Sequence, residues 1–244
     1  STSRRQRQMC IRDSFKTYYV DGEGGGNSLL SNYVRTVYET SDGHVLVGCV
    51  NGLMEYDRRS DTFRAIPMKS KGKDVRLHVY DIRELSSGAV WVATAGAGLF
   101  RYDKAGNEAR SIDKVNALVG SEFVSCIYED SSHVLWIGTE KNGVCRYYTS
   151  SGKARCFRMP ELSGNIVQSM VEDNEGRLYV ATYDGGINVY DRREERFTPV
   201  PVSDGTAVRR VSALARVGNR ILAGTDGDGV RVLEDGRLVS RLPI

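Results

Sequence analysis

The chain is 244 residues long and 40% apolar, with 34 Lys+Arg against 31 Asp+Glu and five cysteines. That length can bury a sizeable core as one domain, and no apolar run approaches the roughly 18 residues a membrane helix needs. With nearly balanced charge, it offers no case for nucleic acid or an anionic membrane as partner.

Residues 4–13, RRQRQMCIRD, match the translation of a transposase adapter used in sequencing libraries, so 1–13 read as a non-native scar. Setting aside its four arginines and one aspartate leaves 30 basic and 30 acidic residues, a net charge of zero. Residues 14–20, SFKTYYV, read as the outermost strand of a preceding unit. Gly24–Gly26 follow no βαβ pattern and read as a loop rather than a phosphate cradle.

From there the chain repeats. Small residues ending a short apolar strand recur at Gly48, Ala93, Gly138, Ala181 and Gly224, and a second set at Gly52, Gly98, Gly143, Gly186 and Gly229 keeps nearly the same step. Each unit opens with an alternating segment (Val34–Glu39, Val79–Glu84, Val124–Glu129, Val167–Glu172, Val211–Arg216) and a polar turn. An apolar second strand follows, then a Gly-bearing loop, a third strand with an aromatic near its end and a weaker fourth strand. Five units are expected at about 31–67, 76–112, 121–158, 164–201 and 207–242.

Four short strands at this period are the signature of a β-propeller blade, an all-β fold whose four-stranded antiparallel sheets bury their faces by stacking. No ten-residue stretch has the 3.6-residue period of a helical array. Five blades plus one strand of a sixth suggest a fragment of a larger propeller, with seven blades expected. Trp91, Trp136 and Tyr179 share one repeat position and are assigned to packing between blades. Cys49, Cys126, Cys145 and Cys156 lie in expected strands without CxxC spacing. They read as buried thiols, with a Cys145–Cys156 cross-strand bridge the open alternative.

Leu135-Trp136-Ile137-Gly138-Thr139, preceded by Ile127-Tyr128-Glu129-Asp130, resembles the two-component regulator propeller repeat. So do Asn27–Val34 and Val171–Gly176. The resemblance covers residues 14–244, with Gly48-Cys49 and Ala93-Thr94 as mild departures from its Gly-Thr. Such repeats form periplasmic sensor regions of hybrid two-component systems in Bacteroidetes-like bacteria. The resemblance therefore implies a periplasmic, membrane-anchored parent, detection of carbohydrate breakdown products such as oligosaccharides, and signalling to a histidine kinase through a homodimer. Partners within the parent would be its other propeller blades and domains.

No catalytic set accompanies the repeat: no Ser, Cys or Lys nucleophile comes with a base in a motif, and no metal or cofactor is expected. His44 and His133 fall in the outward turns, Asp226–Gly229 reads as a tight turn, and only His78 opens a first strand. In a propeller the fourth-to-first and second-to-third connections share one mouth. The candidate ligand residues there are Asn32, Tyr33, Arg35, His78, Tyr80, Glu122, Phe123, Asn142, Asn165, Tyr183, Asp184 and Arg209, with Asn51, Glu140, Lys141, Gln168, Arg210 and Asp226 beside them. Aromatic faces with amide and charged tips are what sugar recognition needs. A protein-interaction scaffold without a small ligand, or a propeller lyase using a mouth-facing His–Glu pair, are the alternatives.

Overall fold

The computed structural model describes residues 16–20, 28–200 and 210–242; the adapter-like stretch, Gly24–Gly26 and Arg209 lie outside them. The chain folds into five consecutive antiparallel blades. The first comprises β1 (Val34–Glu39), β2 (Val45–Cys49), β3 (Gly52–Asp57) and β4 (Thr62–Ile66). The second holds β7 (His78–Glu84), β8 (Val90–Ala95), β9 (Leu99–Asp103) and β10 (Glu108–Ser111), extended by a hairpin, β5 (Met68–Ser70) and β6 (Lys73–Val75). The third comprises β11 (Val124–Glu129), β12 (Leu135–Thr139), β13 (Val144–Tyr148) and β14 (Lys153–Phe157). The fourth follows with β15 (Val167–Glu172), β16 (Leu178–Thr182), β17 (Gly186–Asp191) and β18 (Arg196–Pro199). The fifth closes with β19 (Val211–Val217), β20 (Arg220–Thr225), β21 (Val230–Glu234) and β22 (Arg237–Leu242).

Blades meet face to face because their second strands are apolar on both sides. Leu46, Leu53 and Ile66 of the first blade pack on Val79, Ile82, Val92 and Phe100 of the second. Trp91 and Leu99 continue onto Ile127, Leu135 and Ile137, and Tyr179 and Ile187 onto Val211, Ile221 and Leu233. Trp136 is fully buried against Tyr190, ring centroids 4.8 Å apart, with Phe157 and Phe197 beside them. The repeated small residue allows this approach. A Cβ on Gly138 would stand 2.5 Å from Cys126 Sγ and 2.7 Å from Val167, distances no real side chain tolerates.

A carboxylate fastens the blades at their first-to-second turns. Ser41 donates its N–H (2.6 Å) and its hydroxyl (3.0 Å) to Glu84 of the next blade. Ser86 makes the same pair to Glu129 at 2.6 and 2.7 Å, and Ser131 to Glu172 at 2.7 and 2.7 Å. Charged acceptors make these bonds stronger than neutral ones. At the fourth junction the bonds run both ways: Arg216 donates to Asn174 Oδ1 at 2.9 Å, and Asn174 Nδ2 donates to the Gly218 carbonyl at 3.2 Å. The aspartate after the glutamate shapes the turn itself. Asp130 accepts the N–H of Ser132 and Val134 and, at 2.7 Å, the indole N–H of Trp136.

Lys16–Val20 joins no sheet among the described residues, and Tyr18 lies edge-on against Phe63 of the first blade at 5.1 Å. The hairpin Met68–Val75 lies between the expected units 31–67 and 76–112. It turns through Lys71 and Gly72, both at positive φ, and is held by parallel pairing of β5 with β10. Among the described residues one short helix, α1 (Asp113–Val119), interrupts the strands and stops at Gly120 in the left-handed conformation. Cys145 and Cys156 face each other across β13 and β14 and form a disulfide, while Cys49 and Cys126 are buried free thiols.

Candidate mouth-face site

The first strands of consecutive blades pack against one another and so form the inner ring of the array. Every first strand carries a bulge at the same place, between Val34/Thr36, Val79/Asp81, Val124/Cys126, Val167/Ser169 and Val211/Ala213. A bulge adds one residue against its partner strand and re-aims it. The extra residues are Arg35, Tyr80, Ser125, Gln168 and Ser212. Three of the expected mouth residues therefore share one structural cause. Two were missed, Ser125 and Ser212, whose hydroxyls are already spent on the Val167 and Gly224 carbonyls.

The second-to-third loops on this face are built alike. The hydroxyls of Thr94, Thr139, Thr182 and Thr225 donate to the carbonyls of Gly98, Gly143, Gly186 and Gly229 at 2.7–3.0 Å. This hydroxyl is the chemical content of the Gly-Thr in the repeat, and Cys49 replaces it in the first blade.

Four candidates serve these loops. Asp184 accepts the backbone N–H of Asn165 and Ile166, both at 3.0 Å, and the Asn165 side chain accepts from Met159 at 2.9 Å. Asn142 donates to the Val119 and Gly120 carbonyls at the end of α1, and Asn32 accepts from Val20 at 2.7 Å.

Of the others, Arg35, His78 and Glu122 are exposed and Tyr80 is half-buried. Tyr33 is 75% exposed, and Phe123 and Tyr183 are also exposed. The Arg35 guanidinium lies 5.0 Å from the Tyr80 ring, and the Lys141 ammonium 5.8 Å from Phe123. Tyr183 donates its hydroxyl to Asp226 at 3.0 Å, with Arg210 3.9 Å from the same carboxylate. Burial and the neighbouring Glu140 carboxylate push the Tyr80 phenol above its usual pKa against the pull of Arg35. The hydrogen bond to Asp226 does the same for Tyr183. Both phenols are neutral donors at physiological pH.

The hairpin and α1 both rise from fourth-to-first connections, on this same face, and enclose a cleft of about 650 Å³ between them. Lys71, Lys73 and Val75 form one wall, Asp113, Asn116 and Glu122 the other, with Leu77 and Ala97 between. The side chain of Asn116 holds this wall, accepting the Leu99 N–H at 2.7 Å and donating to Ala97 and Leu99 carbonyls. His78 is exposed at the start of β7. The histidine–carboxylate pairs among the described residues, His44 with Glu55 and Asp42 and His133 with Glu129, involve the first-to-second turns at the opposite end. Among the described residues no group of three or more His, Cys, Asp or Glu is placed to hold a metal ion.

Residues 118–141 and 161–184 match the two-component regulator propeller family. A 90-residue stretch is 36% identical to Histidine kinase P4 of Formosa agariphila, covering 34% of this chain and 6% of that protein. In overall shape the chain is similar to the extracellular domain of a protein described as a hybrid two-component system of B. thetaiotaomicron. That match has a TM-score of 0.59 and 17% identity, and spans 95% of this chain and 37% of the other. Virginiamycin B lyase of Staphylococcus aureus shares the fold at a TM-score of 0.66 and 18% identity, over 86% of this chain and 70% of the lyase. The described residues hold no helix long and apolar enough to cross a membrane. The chain stacks five four-stranded blades, and segments of the third and fourth match the two-component regulator propeller repeat.

Proposed function

We propose that the chain is part of the ligand-sensing, extracytoplasmic propeller of a hybrid two-component sensor, that it recognises a carbohydrate-derived ligand on its mouth face, and that the signal passes to a histidine kinase elsewhere in the parent protein. The observation that carries this reading is the set of exposed rings, Tyr33, Phe123 and Tyr183, with charged or hydrogen-bonding groups beside them and a cleft of ligand size on the same face. The repeat family, the partial identity to a histidine kinase and the likeness to an extracellular sensor domain support the sensor context. The Cys145–Cys156 disulfide fits a periplasmic location, since such bonds persist in oxidising compartments. A non-enzymatic role is the reading that the regulator-propeller repeats support, with a propeller lyase as the rival.

Isothermal titration of the chain against a panel of neutral and acidic oligosaccharides tests the proposal. Saturable binding is expected, weakened at least tenfold in Tyr183→Ala and Phe123→Ala proteins that keep their β-sheet circular dichroism. Binding of no glycan in the panel would move the protein-interaction scaffold to the front.

A further inference from the structure

The cleft between the hairpin and α1 is built from connections between consecutive blades of this chain, and both of its walls are tied down. The hairpin turns at Lys71 and Gly72 and is joined to the second blade through β5. On the other side Asn116 anchors the helix, and the carbonyl of Glu122 accepts the N–H of Gly96 at 2.8 Å and of Gly98 at 2.9 Å. Leu77 and Ala97 lie between the walls. The volume of about 650 Å³ falls within the roughly 300–1,000 Å³ usual for small-ligand sites.

The charges in this cleft are sorted by wall. The ionisable residues on the hairpin side are Lys71 and Lys73, and those on the helix side are Asp113 and Glu122. All four are exposed. Among the described residues none of them enters an ion pair, across the cleft or outside it. By contrast, Lys69 of the same hairpin pairs with Glu108 at 3.0 Å, and Lys104 with Asp42 at 2.7 Å. Within its own wall Asp113 accepts a neutral hydroxyl, that of Ser111, at 2.6 Å. A neutral ligand would sit among four charges and pair with none. An anion would answer the lysines and face two carboxylates, and a cation would do the reverse. Such like-charge juxtaposition is how a site rejects the wrong ligand.

We infer that this cleft selects a dipolar ligand, an oligosaccharide that carries both a uronate and an unacylated amino sugar. The uronate carboxylate seats on Lys71 and Lys73, the sugar ammonium on Asp113 and Glu122, and the apolar face of a ring on Leu77 and Ala97. The inference rests on the carbohydrate reading of the mouth face and narrows it to one class. Because the four charged groups stand in solvent, each pairing contributes modestly, and the preference over a singly charged analogue is about three- to tenfold.

Isothermal titration of the whole chain with three probes tests this: the disaccharide of glucuronate and glucosamine, its N-acetylated form and its carboxyl-reduced form. The free-amine disaccharide is expected to bind at least threefold more tightly than either relative. Lys71→Ala with Lys73→Ala should erase its advantage over the carboxyl-reduced form. Asp113→Asn with Glu122→Gln should erase its advantage over the N-acetylated form, and each double variant should keep the other advantage. All four side chains lie at the surface, and circular dichroism checks that the variants keep the fold. Triglycine, which carries both charges on no sugar, is expected not to compete. Equal or tighter binding of either singly charged form, or an advantage that survives in both double variants, overturns the inference while the carbohydrate reading stands. If no glycan binds, or triglycine binds in place of the disaccharide, the carbohydrate reading fails and this inference with it.

Discussion

The carboxylate fastening makes a graded prediction, because the same glutamate stands in three environments. Glu129 accepts two bonds from Ser86, at 2.6 and 2.7 Å, and its side chain is partly open to water. Hydrogen bonds to a charged group contribute about 1.5–3 kcal/mol each when screened little. Solvent reduces this, so Glu129→Ala should cost about 1–2 kcal/mol. Glu172 is buried, accepts the same two bonds from Ser131 and also pairs with Arg192 at 2.8 Å. Removing it leaves a half-buried guanidinium with one partner fewer, and Glu172→Ala should cost about 2–4 kcal/mol. Glu39 faces solvent and meets only Arg58, so Glu39→Ala should leave stability nearly unchanged. Urea unfolding followed by tryptophan fluorescence, compared at constant m-value, gives the three costs. Equal losses for Glu39 and Glu129, or an unaffected midpoint for Glu172→Ala, would refute the idea that this carboxylate joins blades.

Reduction of the denatured chain should release two further titratable thiols, since Cys145 and Cys156 are paired whereas Cys49 and Cys126 are free. Reducing that bond, which closes a loop of sequence separation 11, should cost about 3 kcal/mol and lower Tm by roughly 6–12 °C in calorimetry. Gly138→Ala should lose about 1–3 kcal/mol because the new methyl meets Cys126 and Val167, while Gly224→Ala should be neutral or slightly stabilising; the two midpoints measured side by side check the contrast. Burial pushes the Asp173 carboxyl up, but bonds from the Arg177 side chain and backbone outweigh it and hold its pKa below the ordinary range. Its stabilisation is therefore full above the unfolded pKa and lost as pH falls through the folded one. Asp173→Asn should accordingly destabilise at pH 7 and converge with wild type in urea titrations near pH 2.

The repeat could be read because its glycines and threonines do local, blade-by-blade chemistry. Gly138 makes room for Val167, Thr139 caps its own loop, and Glu129 accepts from Ser86 of the preceding blade, so each recurs with the period of the fold. The elements that escaped are held by distant partners. Met68–Ser70 is short and carries no repeat pattern; it pairs with β6 in its own hairpin and is joined to the blade through β10, some 40 residues on. The seven residues of α1 are too few for helical periodicity, and Asn116 anchors them to the third strand of the preceding blade. At the mouth, residue type alone could not separate Asn142 and Asp184, whose polar atoms serve backbone, from Tyr33 and Phe123, which remain open. The bulges distinguish Arg35 and Tyr80 from their neighbours, and a bulge depends on register across two strands.

The hairpin and α1 rise from one end of the array, whereas the glutamate fastenings lie at the other. Lengthening or exchanging a connection at the mouth leaves the joints between blades intact. Recognition can then diversify by insertion while assembly stays constant, much as a tool holder accepts new bits without being recut. A chain of this design should tolerate foreign loops in place of Lys71-Gly72 far better than any change of length in its Ser–Glu turns.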